Sequence, residues 1–144
     1  MTAKAWSIID QIAQDKLQEA RERVSQTNQA LQKVTAQKLQ LLEMLNDYQS
    51  RLNKSQELKH SIDEHVSFRH FIKQVQDLIA VIEDQERQAE HLLQSQEDNL
   101  IDALKEKKKT EFLIERDNSM TAKREQVTEQ KGFDEIGIAR FNHQ

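Results

Sequence analysis

The chain has 144 residues, with no proline, no cysteine, two glycines near its end, 19 glutamines, 32% charged residues, 5% aromatics and a formal net charge of −4. This composition excludes disulfide and thiolate chemistry and is too poor in β-branched, aromatic and turn residues for a sheet, while the acidic balance argues against the basic face of a duplex-binding protein. A mean hydropathy of −0.86 would suit a disordered chain, so a fold requires the apolar residues to lie on a narrow stripe that one partner helix can cover.

At the amino terminus, Met1 to Asp10 lacks the apolar core of a signal peptide. The longest apolar run anywhere is only a few residues, so no membrane insertion is expected. A first helix is predicted over about residues 4–53. From Leu17 it keeps a heptad register in two series: Leu17, Val24, Leu31, Lys38, Leu45, Leu52, and Ala20, Thr27, Val34, Leu41, Tyr48, Ser55. A 3.5-residue apolar repeat sustained this long is a coiled-coil signature. Upstream, Trp6, Ile9, Ile12 and Ala13 continue the stripe with a slip of about one residue.

The seam then fails over residues 54–67, which are expected to form the connection, with or without one short helical turn inside it. Ser61 and Glu64 have capping-box spacing there, and Ser67 directly precedes the next apolar run. A second helix is predicted over about residues 68–131. Its series are Phe68, Val75, Ile82, Ala89, Gln96, Ala103, Thr110 and Ile72, Ile79, Glu86, Leu93, Leu100, Lys107, Ile114.

Two helices joined by a short connection pack antiparallel. The expected fold is therefore all-α, a single antiparallel coiled-coil hairpin with a helical overhang, extending on the order of 75–80 Å at 1.5 Å per residue. With the fold-back near His60, facing residues have numbers summing to about 120, to within three or four residues. Charge supports this register. Arg21 and Arg23 fall opposite Glu97 and Asp98, and Lys33 and Lys38 fall opposite Glu83, Asp84 and Glu86. The polar seam residues Lys38, Gln96 and Lys107 are expected to weaken the seam while fixing its alignment.

Beyond about residue 118 the first helix has run out. An isolated helix of that length is marginal in water, so the segment is either frayed or ordered by another protein. The ending, residues 132–144, is apolar again at Phe133, Ile136, Ile138 and Phe141, which favours a protein partner.

No catalytic constellation is present. His60, His65 and His70 recur every five residues, a spacing that points three rings in different directions on a helix, and His91 and His143 stand alone. No phosphate loop, nucleophile elbow or zinc spacing occurs, and a two-helix hairpin lacks the concave dry site that tunes catalytic carboxylates. The chain reads as a non-enzyme without metal or cofactor. Two stretches carry alternative readings. "KEKKKTE", residues 105–111, is either a solvated face balanced by Glu106 and Glu111 or a docking patch for an acidic partner. The aromatic cluster of Tyr48, Phe68 and Phe71 is either end packing or an exposed partner patch.

The segments "MLNDYQSRL" (44–52), "SFRHFIKQVQDLIAVI" (67–82), "KKKTEFLIER" (107–116) and "EQKGFDEIGIARF" (129–141), in this order and spacing, resemble the flagellar FliJ family over nearly the whole chain. The resemblance implies a hairpin similar to the stalk subunit of rotary ATP synthases. It implies work with a hexameric export ATPase, its regulatory stator, the membrane export gate and flagellar substrate chaperones, at the cytoplasmic face of the inner membrane. Gate contacts would fall on Leu45, Tyr48, Phe71 and Val75, and contacts with the ATPase ring on Lys107, Lys108, Lys109, Phe133, Ile136 and Arg140. The isolated chain is expected to be a monomer. Alternatives are the equivalent stalk of a virulence-type injectisome, or a generic coiled-coil scaffold that self-associates; an RNA-binding arm is disfavoured by the charge and by the lack of paired aromatics on a basic face.

Overall fold

A computed structural model describes residues 2–57 and 62–142 of the chain, with side chains described for residues 2–56 and 62–138. It contains two helices, α1 (Ala3–Glu57) and α2 (Ile62–Asn142). The expected fold-back centre at His60, the capping residue Ser61, the side chain of Arg140 and His143 lie outside the described residues.

Helix α1 starts where a side chain can cap it. The Thr2 hydroxyl accepts a hydrogen bond from the Ala5 amide at 3.2 Å, and the Thr2 carbonyl accepts one from the Trp6 amide at 3.1 Å, satisfying two of the donors that a helix start leaves open. Its far end runs past the expected boundary. Lys54 to Glu57 and Ile62 to Ser67, expected in the connection, are helical. No glycine or proline interrupts either stretch, and Asp63 and Glu64 in the first turn of α2 favour the helix dipole. The seam also continues here, because Ser55 is buried and His65 is half-buried. At the other end, α2 carries helix through residues 132–142, where a tail was expected. Neither Gly132 nor Gly137 meets any atom that a side chain would clash with.

The chain divides into two compact units, residues 20–100 and residues 1–19 with 101–144. In the first, α1 and α2 run antiparallel. Tyr48 meets Phe71, and Lys38 meets Glu86. Every member of the four heptad series within this unit is buried or half-buried, with Val75 and Ile79 among the best covered. Fully burying such a side chain contributes about 1.5–3 kcal/mol, so a stripe of them can hold two helices that are otherwise polar.

In the second unit the helices again run antiparallel, with Asp10 against Lys107 and Trp6 against Asp117. These four pairs and that of Thr35 with Glu86 all have numbers within four of the expected sum of 120. Upstream of Leu17 the structure departs from the expected stripe at one residue. Ala13 is buried and Trp6, Ile9 and Asp10 are half-buried, whereas Ile12 is exposed. The unbroken heptad passes through Asp10, a seam position whose charge is met by Lys107, and reading apolar residues alone hides it.

Candidate partner-binding sites

Two regions combine exposure with apolar or charged side chains. The first lies in the unit of residues 20–100, where α1 ends and α2 begins. Tyr48 stacks on Phe71 with ring centroids 5.8 Å apart and planes 19° from parallel, within the range where offset aromatic pairs attract. Tyr48 and Leu45 are half-buried, while Phe71 is 46% exposed. Val75 is only 5% exposed. The structure thus brings Tyr48 and Phe71 together as a surface feature, and it sets Val75 in the seam beneath them.

Next to Phe71 is an open depression of about 580 Å³ lined by Arg51, Lys54, Ser55, Asp63, Glu64, Ser67, Phe68 and Phe71. Sequence reasoning identified the aromatics but missed the concavity and its rim of mixed charge, because both depend on where the two helix ends stop. Two buried polar atoms in this neighbourhood, Ser55 Oγ and His65 Nε2, lack hydrogen-bond partners. Such atoms cost roughly 1–3 kcal/mol each where water does not reach them.

The second region is α2 from residue 118 onward. Among the described side chains from 118 to 138, only Gly132 is less than exposed. Phe133 is 73% exposed, and Met120, Val127, Ile136 and Ile138 are exposed as well. The last cross-helix rung is Trp6 Nε1 donating to Asp117 Oδ2 at 2.7 Å, so the covered part of this helix ends at the boundary expected from sequence. The Trp6–Asp117 rung itself was missed, since an aspartate in a seam gives no apolar signal.

The basic stretch 105–111 divides by geometry. Lys107 is a seam residue with a side chain only 14% exposed, hydrogen-bonded to Asp10 and 3.6 Å from Glu111. Its hydrogen bond to Asp10 holds the ammonium above the ordinary lysine value of 10.5, with desolvation pulling the other way. Lys108 and Lys109 are exposed. Of the three lysines expected to dock the ATPase ring, then, Lys107 is engaged within the hairpin, and only the other two face solvent.

A similar polar rung stands in the unit of residues 20–100. Lys38 Nζ donates to Glu86 Oε1 at 2.8 Å, and Thr35 Oγ1 donates to Glu86 Oε2 at 3.0 Å. Hydrogen bonding to Lys38, then to Thr35, holds Glu86 below the ordinary carboxyl value of 4.5, and the same bond to Glu86 raises Lys38. Asp84 and Asp98, expected to face cations of α1, have partners on their own helix: Asp84 pairs with Arg87 and accepts from Gln88, and Asp98 accepts from Gln94. Exposed side chains reach their own-helix neighbours at i+3 and i+4 more readily than a facing helix.

Among the described residues no group of three histidine, aspartate or glutamate side chains could hold a metal ion, and no helix is long and apolar enough to cross a membrane. The fold defines a small all-α hairpin of two long helices that pack on each other. The sequence profile of the flagellar FliJ protein family matches residues 7–144, and the chain belongs to that family. Membership makes it a component of flagellar protein export and a structural protein. No curated protein sequence and no solved structure matches it significantly.

Proposed function

We propose that this chain is a mechanical coupler of flagellar export, linking a hexameric export ATPase and its stator to the membrane export gate and escorting emptied substrate chaperones. The observation that carries this reading is the helix beyond Asp117. It continues with almost all of its described side chains exposed, and an uncovered helix of this length gains stability only when another surface packs on it. Phe133, Ile136, Lys108 and Lys109 are the contacts proposed for the ATPase ring, together with Arg140. Tyr48, Phe71 and Leu45 are the contacts proposed for the gate, with Val75 supporting Phe71 from the seam. The chain binds no nucleotide in this scheme and transmits the state of the ring to the gate through two packed helices.

Deleting residues 118–144 tests the reading. Thermal melting of the remaining hairpin should change little, because almost all described side chains of the lost segment are exposed, whereas stimulation of the export ATPase should be abolished. Full stimulation by the truncated chain would refute the assignment.

A further inference from the structure

A third surface is independent of the two regions above. Along α2, the positions Gln74, Leu78, Val81, Gln85, Gln88, Leu92 and Ser95 recur at alternating spacings of four and three, so they share one face beside the seam. All seven are exposed, and none is charged. This is unusual in its own neighbourhood. Exposed positions elsewhere on the same stretch include Lys73, Asp77, Asp84, Arg87, Glu90, Glu97 and Asp98. Leu78, Val81 and Leu92 are each about half exposed, and a groove of about 460 Å³ runs between Gln74, Asp77, Leu78 and Val81.

One edge of this face has a regular charge. Asp77, Asp84, His91 and Asp98 repeat every seven residues, giving an acidic border with the same period as the apolar stripe. Its present partners are exposed and on the same helix: Lys73 is 3.6 Å from Asp77, Arg87 is 3.5 Å from Asp84, and Gln88 and Gln94 donate to Asp84 and Asp98 at 3.0 and 3.1 Å. A cation from outside can join Asp77 or Asp84 without breaking a buried contact.

We infer that this face receives a third helix from a partner protein, an amphipathic helix with an apolar heptad stripe and lysine or arginine along the edge that meets Asp77, Asp84 and Asp98. The uncharged strip matches a helix laid lengthwise, since heptad spacing keeps its side chains in step with those of a parallel or antiparallel neighbour over several turns. The acidic border selects the sign of that neighbour's flank. Glutamine amides at positions 74, 85 and 88 tolerate this burial because they can donate and accept toward a helix edge.

The test uses the full-length chain and two synthetic three-heptad helices, alike in carrying leucine along one stripe but differing in one flank, lysine in the first and glutamate in the second. Fluorescence anisotropy should show the lysine-flanked helix binding at least about tenfold more tightly, the scale on which a few unscreened charge pairs act. Changing Leu78, Val81 and Leu92 together to glutamine should abolish binding of both helices without altering the melting of the hairpin. Asp77→Lys with Asp84→Lys should reverse the preference, so that the glutamate-flanked helix binds better. Equal binding of the two helices, binding that survives the triple substitution, or sedimentation showing a second copy of the chain already seated on this face would each overturn the inference.

Discussion

Leu78 and Ile79 are adjacent in the same helix, similar in size and opposite in environment, which makes them a controlled pair. Ile79 is 8% exposed and lies in the seam, whereas Leu78 is 52% exposed. Ile79→Ala removes three methyl or methylene carbons from a site that can relax only partly; large-to-small changes of this kind cost about 2–5 kcal/mol. A two-helix seam is open on both sides and collapses more easily than a globular core, so a value near the lower part of that range, about 2.5 kcal/mol, is expected. Leu78→Ala loses little burial and gains slightly in helix propensity, so its effect should stay within about 0.5 kcal/mol. With a denaturant slope of about 1.5–2 kcal/mol/M in urea, Ile79→Ala should lower the midpoint by about 1.5 M and Leu78→Ala by less than about 0.3 M. Far-ultraviolet circular dichroism through a urea titration reads both. Comparable losses at the two positions would refute the assigned seam, and a larger loss at Leu78 would mean that the second helix is rotated from the described register.

The Lys38–Glu86 rung predicts a pH dependence with a definite sign. Glu86 is held below its ordinary value of 4.5, so its contribution is present above that pH and is lost as the pH falls through the folded value. Lys38 is held above 10.5, so its contribution is present below that pH and is lost as the pH rises further. Glu86→Gln should therefore flatten the acid limb of a melting-temperature profile and also weaken the alkaline limb, and an unchanged profile on both sides would remove the rung from the account. Trp6 is the sole tryptophan and is hydrogen-bonded to Asp117, so Asp117→Ala should shift its emission to the red with little loss of helicity; no shift would place the indole elsewhere. Tyr48→Ala with Phe71→Ala should weaken binding to the export gate while ATPase stimulation persists, measured in parallel, and the opposite pattern would show that the two contact assignments are exchanged. Lys108→Ala with Lys109→Ala should reduce the salt dependence of ATPase-ring binding, and an unchanged slope would return these lysines to the solvated surface.

Much of the hairpin was legible because the signal that forms it is the one a sequence displays. Leu17, Val75 and Ile79 are covered because they recur in step with a facing helix, and a heptad pattern records that directly. The ends were less legible. Lys54–Glu57 and Ile62–Ser67 are helical because nothing among them stops a helix, and an absence of breakers marks no boundary. Polar seam positions were the other blind spot. Lys107 was assigned both to the seam and to a docking patch; its spacing favoured the first and its lysine neighbours the second, and Asp10, the residue that decides the matter, lies 97 positions away. Sequence did predict that uncovered helix begins near residue 118, since that boundary follows from the length of α1 alone.

The polar rungs also explain how so apolar-poor a seam keeps one alignment. Sliding α2 past α1 by a heptad would leave most apolar layers facing apolar layers, because both stripes repeat every seven residues. Burial alone therefore discriminates poorly between registers. Each unit nevertheless contains an ionic rung across the helices, Lys38 with Glu86 in one and Lys107 with Asp10 in the other. A one-heptad slide would move each partner about 10 Å along the axis, leaving half-covered charges facing apolar neighbours, a penalty larger than any gain from the pair itself. Charged residues inside the seam thus lock the two helices against sliding, at some expense in stability.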